Sequence, residues 1–195
     1  MDCFERLLLN GCYRATYNPR NPTETRRALL ICALLPNHHS LCDFQDAMYL
    51  LEANNNKATV LFSWQELKER QSSRLLHQLV ALVHAQGHEI ALHFNTDLCM
   101  QSSLQLRQDA VEALHFMQRV LGVNVTTVRV GYSLPSARAA LETLGLTVFG
   151  EHGCQRLVSI NGDSLLAKNV EVFLETLRSD AKRCVTIGAL FDEIR

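Results

Sequence analysis

With 195 residues the chain is long enough for one domain with a sizeable core, and 47% hydrophobic against 20% charged residues excludes disorder. A formal net charge of −1, with arginines scattered rather than clustered, gives no electrostatic reason to expect nucleic acid or an anionic membrane as partner. The longest apolar run, Ala28 to Leu35, falls far short of the ~20 residues of a membrane-spanning helix, so no membrane span is expected.

The chain starts Met1-Asp2-Cys3-Phe4-Glu5-Arg6 and has only Leu7-Leu8-Leu9 before Asn10-Gly11, which is neither the positive start nor the apolar stretch of a secretory signal. Its seven cysteines (Cys3, Cys12, Cys32, Cys42, Cys99, Cys154, Cys184) are odd in number and contain no Cys-x-x-Cys pair. That usage suits reduced, mostly buried thiols rather than a disulfide framework or a zinc knuckle. Both features point to a cytoplasmic location.

Residues 1–26 read as an N-terminal extension packing on a domain that fills 27–195. Ala28 to Leu35 is continuously apolar and stops at Pro36-Asn37, as a strand buried on both faces should. Asp43 to Ala53 has helical spacing, with Phe44, Ala47, Met48 and Leu51 on one face, and Asn54-Asn55-Asn56 breaks it. Ala58 to Phe62 is the next strand. Ser72 or Ser73 can cap a helix carrying Leu75, Leu76, Leu79, Val80 and Val83, which Gly87 ends.

Glu89 to His93 is a short strand. A long helix from about Ser102 to Leu121 follows, with Leu106, Ala110, Ala113, Leu114 and Met117 inward and Gly122 as its stop. Thr126 to Val130 is a strand, and Pro135 opens a helix through Leu144. Leu146 to Phe149 and Arg156 to Ile160 are further strands, Val170 to Leu177 a helix, and Arg183 to Ile187 a last strand. Such alternation marks parallel βα units, closed or nearly closed into a barrel, with an open doubly wound sheet as the alternative.

The middle of the chain carries a resemblance. Lys57-Ala58-Thr59-Val60-Leu61-Phe62, then Gly87-His88-Glu89-Ile90-Ala91-Leu92-His93, resembles the polysaccharide deacetylase family, also called the NodB homology domain or carbohydrate esterase family four. Val128-Arg129-Val130-Gly131-Tyr132 sits where that family has an arginine-proline-proline-tyrosine motif, and Leu144-Gly145-Leu146 resembles its leucine-glycine-tyrosine lead-in. The match runs over about residues 27 to 194. It implies an α/β fold, an irregular (β/α) barrel of about seven parallel strands with its chemistry at the strands' C-terminal ends.

The family's reaction hydrolyses an N- or O-acetyl group on a sugar polymer, with a divalent metal such as zinc, a carboxylate base and an acid for the leaving group. Position by position, the resemblance implies heavy losses. The family's two adjacent aspartates, base and first ligand, fall on Ala33 and Leu34, which can do neither job. Of its His-x-x-x-His ligand pair, His93 remains and Asp97 replaces the second member, so any metal is weakly held or absent. Arg129 matches the arginine that orients the base, and Tyr132 the aromatic lining the sugar groove. The acid histidine's place falls near Asn161, which donates a hydrogen bond but no proton.

A rearranged metal cluster of His93, Asp97 and His38 or His39, with Glu151 as base, is chemically conceivable, because all should lie on the same rim. The reading that follows is a polysaccharide-deacetylase-like protein, catalytically inactive, that binds a carbohydrate polymer or a protein partner. One alternative is an active metal-dependent deacetylase, an amide or ester hydrolase using the rearranged site; another is a scaffold or assembly subunit. Nucleophile elbows, Walker-type loops and Gly-x-Gly-x-x-Gly are absent from the sequence.

Overall fold

A computed structural model describes residues 13–15, 26–33, 38–94, 102–130, 135–149, 157–161, 166–179 and 183–192. Its elements run β1 (Tyr13–Ala15), β2 (Arg26–Ala33), α1 (His38–Ala53), β3 (Thr59–Ser63), α2 (Trp64–Glu69), α3 (Arg74–Ala85) and β4 (Glu89–Phe94). They continue α4 (Ser103–Leu121), β5 (Thr127–Val130), α5 (Pro135–Glu142), β6 (Thr147–Phe149), β7 (Leu157–Asn161), α6 (Leu166–Ser179), β8 (Arg183–Val185) and α7 (Ile187–Asp192).

The helix boundaries follow local chemistry. Ser73 accepts the Leu76 amide at 3.4 Å and Ser102 the Gln105 amide at 3.3 Å, so each hydroxyl satisfies one donor of a first turn. Gly122 follows α4 with φ of 70°, a left-handed conformation that glycine adopts without a Cβ penalty.

Six strands lie parallel in the order β7-β2-β3-β4-β5-β6, and β1 adds antiparallel to the outside of β7. Strand β2 is central. On one side it pairs with β7; on the other it pairs with β3 from Leu30 to Ala33 and with β8 from Arg26 to Ala28. That neighbourhood explains its continuous apolar run, and Ile31 is fully buried. The sheet is curled into a half-barrel, with β1 and β6 as its edges.

Alternation along the strands separates two layers of core. Leu29, Ile31, Ala33, Val60, Phe62, Ile90, Leu92, Phe94, Val128 and Val130 pack outward against the helices. Ala28, Leu30, Leu61, Ala91 and Phe149 face the concave side, where they form a second cluster with Ile187. Each fully buried large side chain contributes roughly 1.5–3 kcal/mol. The concave side, called the lumen below, is where polar residues also gather.

Several expected boundaries move. The helix expected from Asp43 begins at His38, and the one expected from Val170 begins at Leu166. The last strand, expected through Ile187, stops at Val185, and Ile187 opens α7 instead. Trp64–Glu69 and Tyr13–Ala15 are elements that the sequence pattern did not announce.

Candidate functional site

Parallel registers put Ser63 beside His93 and His93 beside Arg129, near the C-terminal ends of β3, β4 and β5. Partners in a parallel ladder share a face, so these three side chains line the lumen together. His93 and Arg129, which the sequence places on one rim, are direct neighbours. Each is half-buried.

Arg129 also reveals how strongly the sheet curls. Its Nη1 lies 3.9 Å from the Sγ of Cys32, on β2. In a flat sheet β2 and β5 would stand three spacings apart, about 14 Å. The guanidinium therefore crosses the lumen to reach the far wall.

Of the two positions matched to the lost aspartates, only Ala33 lies among the described residues. Ala33, matched to the first of them, packs outward with the helix-facing core, so it does not look into the lumen. The described β2 residue nearest the strand end that does face it is Cys32, and Leu34 lies outside the described residues. The sequence could not show this, because a strand apolar on both faces carries no mark of which face is which.

The other candidates are placed less fully. Register sets Asn161, the last residue of β7, beside Cys32. His38 and His39 open α1, just beyond the C-terminal end of β2, and nothing further is described of their side chains. Asp97, Tyr132 and Glu151 lie outside the described residues.

At the opposite end of the lumen the chemistry is settled. Glu89, at the start of β4, accepts hydrogen bonds from the hydroxyls of Thr59 (2.5 Å) and Thr127 (2.5 Å) and from the Gly188 amide (3.1 Å). Thr59 Oγ1 in turn accepts the Ile187 amide at 2.7 Å. With both oxygens engaged, Glu89 fastens the C-terminal segment to the lumen floor, four residues along β4 from His93. Its role is structural and was not legible from the motif.

His88, beside it, is buried, and the Ala58 amide donates to its Nδ1 at 3.2 Å. Burial first, then the charge of Lys57, lowers its pKa to about 4. His88 is therefore a neutral structural histidine at ordinary pH. Of the other described histidines, His84 and His115 are exposed, and His77 Nε2 lies 3.0 Å from the Gln71 carbonyl.

The fold's chemistry raises the question of a metal. Among the described residues no group of three His, Cys, Asp or Glu side chains is arranged to hold one. The described strand-end lumen offers one imidazole (His93), one thiol met by a guanidinium (Cys32) and one hydroxyl (Ser63). A catalytic zinc takes three protein ligands, so this donor set does not fit the ion.

No family model matches the sequence, and no curated protein matches it. Solved structures do. The chain is similar to BA3943, a carbohydrate esterase family four pseudoenzyme from Bacillus anthracis, at 12% identity and TM-score 0.72 over 89% of this chain and 67% of that one. It is also similar to Bacillus subtilis PdaA, a family 4 carbohydrate esterase, at 13% identity and TM-score 0.67 over 100% of this chain and 91% of that one. A family 4 acetyl xylan esterase from Clostridium thermocellum, in complex with cobalt, matches at 16% identity and TM-score 0.58 over 86% of this chain and 90% of that one. With the parallel half-barrel, these likenesses show that the chain has the fold of the carbohydrate esterase family four polysaccharide deacetylases.

Proposed function

We propose that the chain is a non-catalytic protein built on the deacetylase fold, which binds a carbohydrate polymer at the strand ends and does not hydrolyse it. One observation carries the reading. Arg129 meets a thiol, Cys32, in the lumen, and the described strand-end lumen holds no carboxylate to serve as base. The described lumen carboxylate, Glu89, is at the other end and is held by three donors. Without a base the attacking water keeps its proton, and general acid–base groups typically supply ~10²–10⁴-fold.

The similar structures support this choice. They include the BA3943 pseudoenzyme and esterases that act on carbohydrates, so a sugar polymer is the natural ligand class. Tyr132 and Asn161 are the groups proposed to meet it. A cytoplasmic location belongs to the same proposal, favoured by an odd number of widely spread cysteines without Cys-x-x-Cys spacing. Among the described residues, no helix is long and apolar enough to cross a membrane.

The test is acetate release from N-acetylglucosamine oligomers and acetylated xylan, with and without zinc or cobalt, beside a binding titration with the same glycans. The expected result is saturable binding without acetate. Metal-dependent release that disappears in both His93→Ala and Glu151→Gln would establish an active, rearranged site. Neither binding nor release would favour a protein partner or a scaffold role.

A further inference from the structure

The misfit between the lumen and a metal ion can be traced to named side chains. We infer that the Arg129 side chain closes the strand-end lumen to a divalent cation, and that Cys32 is the residue that lets it do so. The inference rests on the non-catalytic reading and deepens it, because it assigns the loss of the cation to one contact.

Three observations combine. The first is space. His93 and Arg129 are register partners on adjacent strands, about 4.8 Å apart, and both look into the lumen. An ion bound to the His93 ring on that side would share the space through which the Arg129 chain crosses to β2. The second is the chemistry of the occupant. A guanidinium has five donors and no acceptor, and it stays protonated at any ordinary pH, so it can never become a ligand. It only excludes a cation from the volume it fills.

The third observation concerns Cys32. Sulfur binds a metal as a thiolate, through lone pairs, and the Arg129 Nη1 approaches that same sulfur at 3.9 Å. Among the strand-end residues whose side chains are described, the lumen is thus left with the His93 imidazole as its one nitrogen donor. A carboxylate at position 32 would behave differently. Its negative charge would offset the guanidinium already lying against that wall, and one oxygen could accept from Arg129 while the other remained available to an ion beside His93.

Cobalt(II) is the probe, read by its visible absorption and by calorimetric titration, with circular dichroism melts to confirm folding. Wild type and His93→Ala should be indistinguishable, neither showing a saturable site. Cys32→Asp should bind cobalt roughly tenfold or more tightly than wild type, and the double variant Cys32→Asp/His93→Ala should lose that gain. Arg129→Gln, which shortens the crossing chain and removes its charge, should move in the same direction and serves if Cys32→Asp does not fold.

One equivalent of cobalt bound by wild type and lost in His93→Ala overturns the inference. So does a folded pair of variants, Cys32→Asp and Arg129→Gln, that bind no more tightly than wild type. Cobalt bound by wild type without acetate release leaves the non-catalytic reading standing and sinks only this inference. Acetate release by wild type without cobalt binding does the reverse.

Discussion

Glu89 Oε2 accepts the Gly188 amide at 3.1 Å, and a Cβ on Gly188 would meet Oε1 of the same carboxylate at 2.5 Å. Glycine is required there by close approach. Gly188→Ala should push α7 away from the lumen floor and break the bonds that hold it. We expect a loss of about 1–3 kcal/mol in a urea unfolding titration, with the m-value unchanged. An unaltered midpoint would mean that the contact does not stabilise the fold.

Replacing the carboxylate tests the same cluster from the other side. Glu89→Gln keeps the shape but loses the charge and one acceptor: its amide nitrogen either reverses the Thr127 hydrogen bond or faces the Gly188 amide, a donor that it cannot accept from. About 1–3 kcal/mol should be lost, since a buried donor without a partner costs its full desolvation. Combined with Gly188→Ala the two losses should fall short of additive, because both variants break one shared hydrogen bond.

His88 makes stability depend on pH. Its pKa is about 4 in the folded protein, lowered chiefly by burial from the usual 6.5 of an exposed histidine. The unfolded chain therefore binds the proton more readily, and acid favours unfolding. The stabilisation is complete above pH 6.5 and drains away as the pH falls toward about 4, to the extent of up to about 3 kcal/mol. His88→Asn, which preserves an acceptor for the Ala58 amide, should flatten the slope of stability against pH in that window. An identical slope in both proteins would remove His88 from the account.

The cysteines should differ sharply in reactivity. Cys184 is almost fully buried and burial pushes its thiol up to about 12, whereas Cys42 is exposed on α1. Iodoacetamide at pH 8, with the labelled peptides mapped by mass spectrometry, should modify Cys42 in the native protein. Cys184 should react only after denaturation, because the thiolate is the nucleophile. Labelling of Cys184 at the rate of Cys42 would mean that β8 is not seated against β2.

The βα alternation was legible because it depends on local pattern, and it placed His93 and Arg129 on one rim because each lies toward the C-terminal end of a strand in that series. Apolar runs of strand length, serine caps and glycine stops each act within a few residues. What escaped depends on distant partners. In the first turn of α6 the Ala167 amide is met by Asp43, whose carboxylate accepts it at 3.1 Å from 124 positions away. Likewise Val185-Thr186-Ile187 has strand character, yet the Ile187 amide bonds to Thr59 Oγ1 and the chain turns into α7. Trp64–Glu69 buries only Trp64 and Leu67, too little to show a period. Of the two positions matched to the lost aspartates, Ala33 packs outward and Leu34 lies outside the described residues, while the lumen-facing Cys32 meets Arg129.

Strand β2 sets a kinetic requirement on the whole molecule. Although it comes early in the chain, its neighbours on one side are β7, and on the other β3 followed end to end by β8. The amide of Ile187 finds its acceptor 128 residues back along the chain. Folding rates fall as contacting residues lie farther apart in sequence. Strand β3 can pair with β2 early, but the β7 and β8 neighbours of β2 come from far along the chain, so part of its apolar surface is covered late. Transiently exposed apolar strands of this kind favour aggregation.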